Sequence, residues 1–185
     1  CNGRYHFVDA DGVRLPQWEV PQFAADPTDP AASDRREFFA DLARVPTGWD
    51  ARRLHYVVIE LHDEFDPPPP PVGRPWDSDA LAAGLQIVRR VLDEPYAGEI
   101  TKVDVRNFQC RVICNEPELT MFAQTGRDRP TRILFGRFPE PGGDFVVPPK
   151  RKFTYLHGYY ADHGRLAGLA RGLDLRHDHL LVIPY

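Results

Sequence analysis

His177 and His179, separated by one residue, have the spacing in this chain that comes nearest to metal ligation. On a strand both would project from one face and could share an ion, with a third ligand drawn from His157 or His163. No Cys-x-x-Cys or His-Glu-x-x-His accompanies them, so neither a bound transition metal nor any other cofactor is expected. Nucleophilic chemistry has little to draw on. Ser33 and Ser78 are the only serines, both stand where helix caps belong, and no Gly-x-Ser-x-Gly turn occurs. Cys110 and Cys114 fall in a stretch that reads as a strand, where thiols are packed and inert. On a strand their Cα atoms would be roughly 13 Å apart, too far for a disulfide. Glu60, Asp63, Glu64 and Asp66 could act as general acid and base, but they adjoin five consecutive prolines and read better as an exposed acidic loop. Asp9 and Asp11 lack the later ligands of a calcium loop, and Pro141-Gly142-Gly143 is a lone turn rather than a phosphate cradle. The expectation is a binding domain, not an enzyme.

The 185 residues are 42% hydrophobic and 27% charged, which suits one globular domain spanning residues 1–185. Nineteen prolines and fourteen glycines predict many loops. A formal charge of −4 argues against a general grip on nucleic acid. Acids dominate residues 1–70, with thirteen Asp/Glu against seven Arg, whereas residues 71–185 are mildly basic. Lys150, Arg151 and Lys152 read as the solvated start of a helix. No run of 18 apolar residues occurs, and neither a membrane span nor a signal peptide is expected within these residues. A chain beginning with Cys1 reads as a fragment or a processed form, with a lipidated Cys1 as the alternative.

The elements that must position these residues follow from periodicity. Residues 5–8 and 13–15 flank Asp9-Ala10-Asp11-Gly12, a hairpin signal. A helix is predicted from Asp34 to Pro46, a strand over residues 56–61, and a stiff polyproline loop over 67–71 that contributes little to the core. Asp77 or Ser78 caps a second helix, with Leu81, Leu85, Val88 and Leu92 as its apolar stripe. Strands are predicted at 100–105, 110–114, 119–123 and 132–135, then a third helix from Lys150 with Phe153, Leu156 and Tyr160 on one face. A last strand runs from Leu173 through Ile183.

Three segments in this order resemble the extracytoplasmic β domain of the bacterial cell-division protein family FtsQ/DivIB. Residues 5–16, with Val8-Asp9-Ala10-Asp11-Gly12, are similar to that family's opening hairpin. Leu134-Phe135-Gly136-Arg137, followed by residues 150–156, resembles a strand ending in Leu-Gly-Arg and its following helix. Leu173-Asp174-Leu175-Arg176 is similar to the Asp-Leu-Arg of the family's last functional strand. The acidic and proline-rich stretch 53–75 and the long loop 139–149 depart from the pattern, and His177 stands where an aromatic often follows. The resemblance implies an α+β fold, with a curved, mostly antiparallel sheet and about three helices, two of them on one face. It implies a scaffold of the cell-division or envelope-assembly machinery on the periplasmic side of the cytoplasmic membrane, anchored by a transmembrane helix and a small POTRA domain upstream. Its partners would be single-pass proteins resembling FtsB and FtsL (DivIC-like), bound by strand addition. The implied contact residues are Asp174, Leu175, Arg176, His177 and His179, with Arg106 as a second site. An ion pair between Asp174 and Arg176 within the chain is the alternative for those two. A metal-binding module, or a metal-dependent enzyme, using His177 and His179 is the alternative function.

Overall fold

The computed structural model of the chain describes residue 6 and residues 8–15, 57–126, 128–138 and 146–185. The helix expected from Asp34, together with Cys1, Ser33 and Gly142, lies outside the described residues.

Six strands form one mixed sheet, ordered as they occur in the chain: β1 (Val58–Glu60), β2 (Ile100–Asp104), β3 (Leu119–Ala123), β4 (Thr131–Gly136), β5 (Gly172–Asp174) and β6 (Leu181–Ile183). Two neighbouring pairs, β1 with β2 and β4 with β5, are parallel; the other three are antiparallel. Parallel neighbours need a crossover. Helix α1 (Asp79–Leu92) supplies the first and α2 (Pro149–His163) the second. Ile59, Val103, Met121, Ile133 and Leu173 lie in register across β1 to β5 and so share one face. Both helices cover that face, joining it in one core with Ile87, Val91, Phe153 and Leu156. The described fold is therefore α+β, with two helices on one side of a mixed sheet. The other face carries Glu60, Lys102, Arg132 and Phe122, with the Lys102 ammonium 2.9 Å from Glu60 and 4.3 Å from the Phe122 ring centre.

Helix α1 starts where the sequence predicts, because the Ser78 hydroxyl accepts the Leu81 N–H at 3.1 Å. Its buried side differs from the expected stripe. Ala80, Leu81, Ala83, Gly84, Ile87 and Val91 face the core, and Leu92 is 52% exposed. Gly84 explains the rotation: a Cβ there would sit 2.8 Å from Ile59 Cγ2, so the helix presents its small residues to β1 and approaches closely. Burial of Leu81, Ile87 and Val91 then contributes about 1.5–3 kcal/mol each. Helix α2 begins with Pro149 in its first turn and ends at Gly164, whose φ of 73° suits the left-handed cap. Phe153 and Leu156 are buried as expected, with Tyr159 rather than Tyr160 as the next core residue.

Four expectations change. Lys152 is not a solvated helix residue: it is 1% exposed, donates to the Arg137 carbonyl at 3.2 Å and lies 4.8 Å from the Phe135 ring centre. Residues 110–114 are a turn and not a strand, because the Asn107 side chain takes the backbone groups a strand would pair. Its Oδ1 accepts the N–H of Val112 at 3.0 Å and of Ile113 at 2.8 Å, and its Nδ2 donates to the Ile113 carbonyl at 2.9 Å. The C-terminal segment is not one strand. It folds back between β5 and β6, so His177 and His179 sit in the connecting loop. Nor is the acidic approach to the prolines merely an exposed loop. The Asp66 side chain is 5% exposed and takes a forked pair from Arg111, with Nη2 to Oδ2 at 2.5 Å and Nη1 to Oδ1 at 3.2 Å. Ser78 Oγ and the His62 N–H each donate to the same carboxylate at 2.9 Å. The prolines themselves are tied by Trp76 Nε1 to the Pro67 carbonyl at 2.9 Å and by Arg14 Nη1 to that of Pro70 at 2.6 Å. Asp9 takes the role that turn chemistry predicts, its Oδ1 accepting the N–H groups of Asp11 and Val13 at 2.9 Å each.

Candidate partner-binding edge

Strand β6 is the last strand of the sheet among the described residues, so one side of its backbone has no strand beside it. Which groups face outward follows from the pairing on its other side. Arg132 N–H bonds the Arg171 carbonyl and Leu175 N–H bonds the Leu134 carbonyl, so residues 171, 173 and 175 spend their backbone groups on β4. Gly172 and Asp174 alternate with them and point to β6, where they oppose Ile183 and Leu181. Val182 lies between these two, so its N–H and C=O point out of the sheet. Leu181 is 38% and Val182 50% exposed, one on each face of a sheet edge that has no strand beside it among the described residues.

The connection between β5 and β6 is fastened by the first turns of α2. Arg151 Nη2 donates to the Asp178 carbonyl at 2.6 Å, and the Tyr155 hydroxyl donates to the same oxygen. Arg151, read from sequence as part of a solvated run, is thus an anchor of this hairpin.

The expected contact residues divide sharply. Leu175 is wholly buried and Asp174 is 5% exposed, so neither offers a partner a side chain. Leu175 turns inward because alternation along β5 puts it with the core. Arg176 closes back on Asp174, with Nε to Oδ1 at 2.9 Å and Nη2 to Oδ2 at 2.7 Å, while its own N–H reaches Oδ1 at 3.0 Å. The ion pair within the chain is the arrangement present. Arg106 repeats it with Asp104 at the end of β2, with the corresponding distances 3.0, 2.6 and 3.1 Å. Two strands separate these clips, roughly 14 Å at ordinary strand spacing, so Arg106 belongs to a different part of the surface. His177 is exposed, with Nε2 3.5 Å from Asp174 Oδ2, and His179 is exposed in the same loop. The other histidines proposed as ligands are engaged on α2: His157 meets Glu94 at 3.3 Å and His163 meets the Tyr159 carbonyl at 2.9 Å. Among the described residues no three His, Cys, Asp or Glu side chains come together as a metal-binding group.

The structure does bring together two of the three segments that carry the family resemblance. Gly136, at φ 82°, ends β4, and a Cβ on it would meet Arg176 Cγ at 3.1 Å and Lys152 Nζ at 3.7 Å. The Leu-Phe-Gly-Arg strand end, the start of α2 and the Asp-Leu-Arg strand end thus meet at one corner of the sheet. The hairpin at residues 8–14 lies elsewhere, beside α1, with Arg89 2.9 Å from Asp11.

Burial by itself would raise the Asp174 carboxyl, but the side-chain and backbone hydrogen bonds and the charge of Arg176 outweigh it and hold the group below the usual carboxylate range. Asp104 is lowered in the same way by Arg106. A carboxyl depressed on folding contributes stability above its unfolded value, near 3.9, and loses it as pH falls through the lower folded value. Arg176→Ala is therefore expected to cost about 1–2 kcal/mol at pH 7, since the guanidinium is partly exposed and screened. The gap to wild type should narrow as urea titrations move from pH 5 towards pH 2. A gap independent of pH would show that only packing of the Arg176 stem matters.

The described residues form a mixed six-stranded α+β domain whose sheet ends at β6. No family model, curated protein or solved structure matches the chain. No helix among the described residues is long and apolar enough to cross a membrane.

Proposed function

We propose that this chain is a non-enzymatic protein-binding scaffold of the FtsQ/DivIB β-domain type, which takes up a strand from a small single-pass partner along β6. The observation that carries the reading is the outward-facing backbone of Val182 beside the exposed Leu181 and Val182 side chains. A partner strand there would pair the outward donor and acceptor of Val182 and pack beside Leu181 on one face and Val182 on the other. The Asp174–Arg176 clip acts as a brace that sets the hairpin's shape, and the exposed His177 and His179 lie in the loop that leads into β6. In this reading the domain stands on the periplasmic face of the cytoplasmic membrane, held by a segment upstream, and its partners resemble FtsB and FtsL.

Val182→Pro tests the mode of binding. Proline removes the outward N–H yet leaves the bonds between β5 and β6 in place, because Leu181 and Ile183 supply those. Titration with purified extracytoplasmic segments of FtsB-like and FtsL-like proteins should show binding weakened by at least about tenfold, roughly 1.4 kcal/mol. Circular dichroism should be unchanged. Arg89→Ala on α1 serves as the control and should bind as wild type. Full-strength binding by Val182→Pro would exclude pairing on this edge.

A further inference from the structure

We propose that Cys110 and Cys114 are a redox pair that closes into a disulfide within the loop between β2 and β3. Residues 110–114 are a loop, so the strand spacing that would hold the thiols apart does not apply. Cys110 Sγ lies 3.8 Å from the Cys114 carbonyl, and Cys114 Sγ lies 3.8 Å from the Cys110 carbonyl. The contact is reciprocal: each sulfur reaches back across the turn to the other residue's backbone. In the proposed closure, rotation about the side-chain bonds brings sulfur to sulfur across this loop.

The loop is already built to hold that geometry. Asn107 pins Val112 and Ile113 between the cysteines, and Arg111 is anchored on Asp66 with its Nε on the Arg106 carbonyl at 3.1 Å. Gln109 and Cys110 sit at φ 58° and 57°, a left-handed turn that residues with a side chain rarely adopt. Glu118 holds this turn, accepting the Gln109 N–H at 3.2 Å. A ring closed across a preformed turn requires little further ordering of the chain.

The two thiols differ in role. Cys114 is exposed, whereas Cys110 is half-buried beside Glu118 and Arg137. Burial raises the Cys110 thiol above its ordinary value; hydrogen bonding from Arg137 opposes this and the Glu118 carboxylate adds to it. Cys114 therefore meets the oxidant first. Its thiolate attacks a small-molecule disulfide, forming a mixed disulfide and releasing one thiolate. The Cys110 thiolate then attacks the Cys114 sulfur and expels the second thiolate. Two protons pass to solvent, and the two electrons reside in the reduced small thiol. The closed ring would hold the exposed Val112 and Ile113 at its tip, 47% and 54% exposed, in one conformation.

The experiment uses the full chain carrying Cys1→Ser, so that only this pair can react, equilibrated with oxidised and reduced glutathione. After quenching by alkylation, the oxidised sample should contain a peptide with Cys110 and Cys114 unalkylated and lighter by two hydrogen atoms. Both thiols should disappear together, and the protein should remain a monomer on a non-reducing gel. Cys110→Ser should instead trap glutathione on Cys114. Independent glutathionylation of both cysteines, alkylation of both after oxidation, or a disulfide between chains would each overturn the proposal. Because the readout is thiol chemistry alone, it is independent of whether β6 receives a partner strand.

Discussion

Asp66→Ala is expected to lower stability by about 3 kcal/mol, the low end of the range for breaking a buried pair by removing one partner. The carboxylate is 5% exposed and Arg111 18% exposed, so solvent screens the pair much less than at an ordinary surface bridge. The loss leaves Arg111 with a charge inside the loop it anchors. It also strips an acceptor from Ser78 Oγ and from the His62 N–H. The effect should reach beyond the proline segment to α1 and to the loop after β2, because Ser78 is the cap of α1 and Arg111 holds that loop. Urea unfolding of Asp66→Ala, Arg111→Ala and the double variant gives the measurement. The double variant should lose clearly less than the sum of the single losses, since the second change removes a charge already left unpaired. A cost below about 1 kcal/mol for both single variants would mean the pair behaves as a surface bridge. Replacing residues 63–73 by a Gly/Ser loop, which sequence alone suggests is harmless, should then cost at least as much as Asp66→Ala.

A loss of similar size is expected at Glu99, a residue with no sequence signal of its own. Its Oε2 accepts the N–H groups of Leu166 and Ala167, both at 2.8 Å, and Leu166 and Ala167 are wholly buried. One carboxylate oxygen thus fastens the start of β2 to the loop after α2, next to the Thr131 hydroxyl that receives the Gly168 N–H at 3.1 Å. Glu99→Ala leaves two amides in the core without their acceptor, at about 1–3 kcal/mol for each group so stranded. A total near 3 kcal/mol is expected, since some relaxation towards solvent is available. Glu99→Gln keeps an acceptor oxygen without its charge and should recover about half. Hydrogen exchange at Leu166 and Ala167 should accelerate in the alanine variant well before global unfolding. Unchanged protection of those two amides would contradict the role given to Glu99.

What the sequence determined by itself is the set of elements whose signals lie within one or two turns of chain. Ser78 caps α1 through a contact three residues away, Pro149 and Gly164 bound α2, and alternation and β-branching mark β2, β3 and β4. The Asp174–Arg176 pair belongs here as well. Side chains two apart on a strand share a face, so an ion pair within the chain was legible as one of two choices. What only the tertiary structure decided depends on groups far apart in sequence. Asn107, by binding the backbone of Val112 and Ile113, turns an apparent strand into a loop and brings Cys110 and Cys114 within reach. Arg151 and Tyr155 hold the Asp178 carbonyl and so split the C-terminal run into two strands, which leaves Val182 on the open edge and moves His177 and His179 off the strand. The rotation of α1 is decided by the nearness of Ile59 to Gly84, and the burial of Lys152 by Phe135 and the Arg137 carbonyl. Local patterns report what a segment prefers against water. Here each of those preferences was settled by the neighbour that arrived once the sheet closed, and a periodicity carries no record of that neighbour.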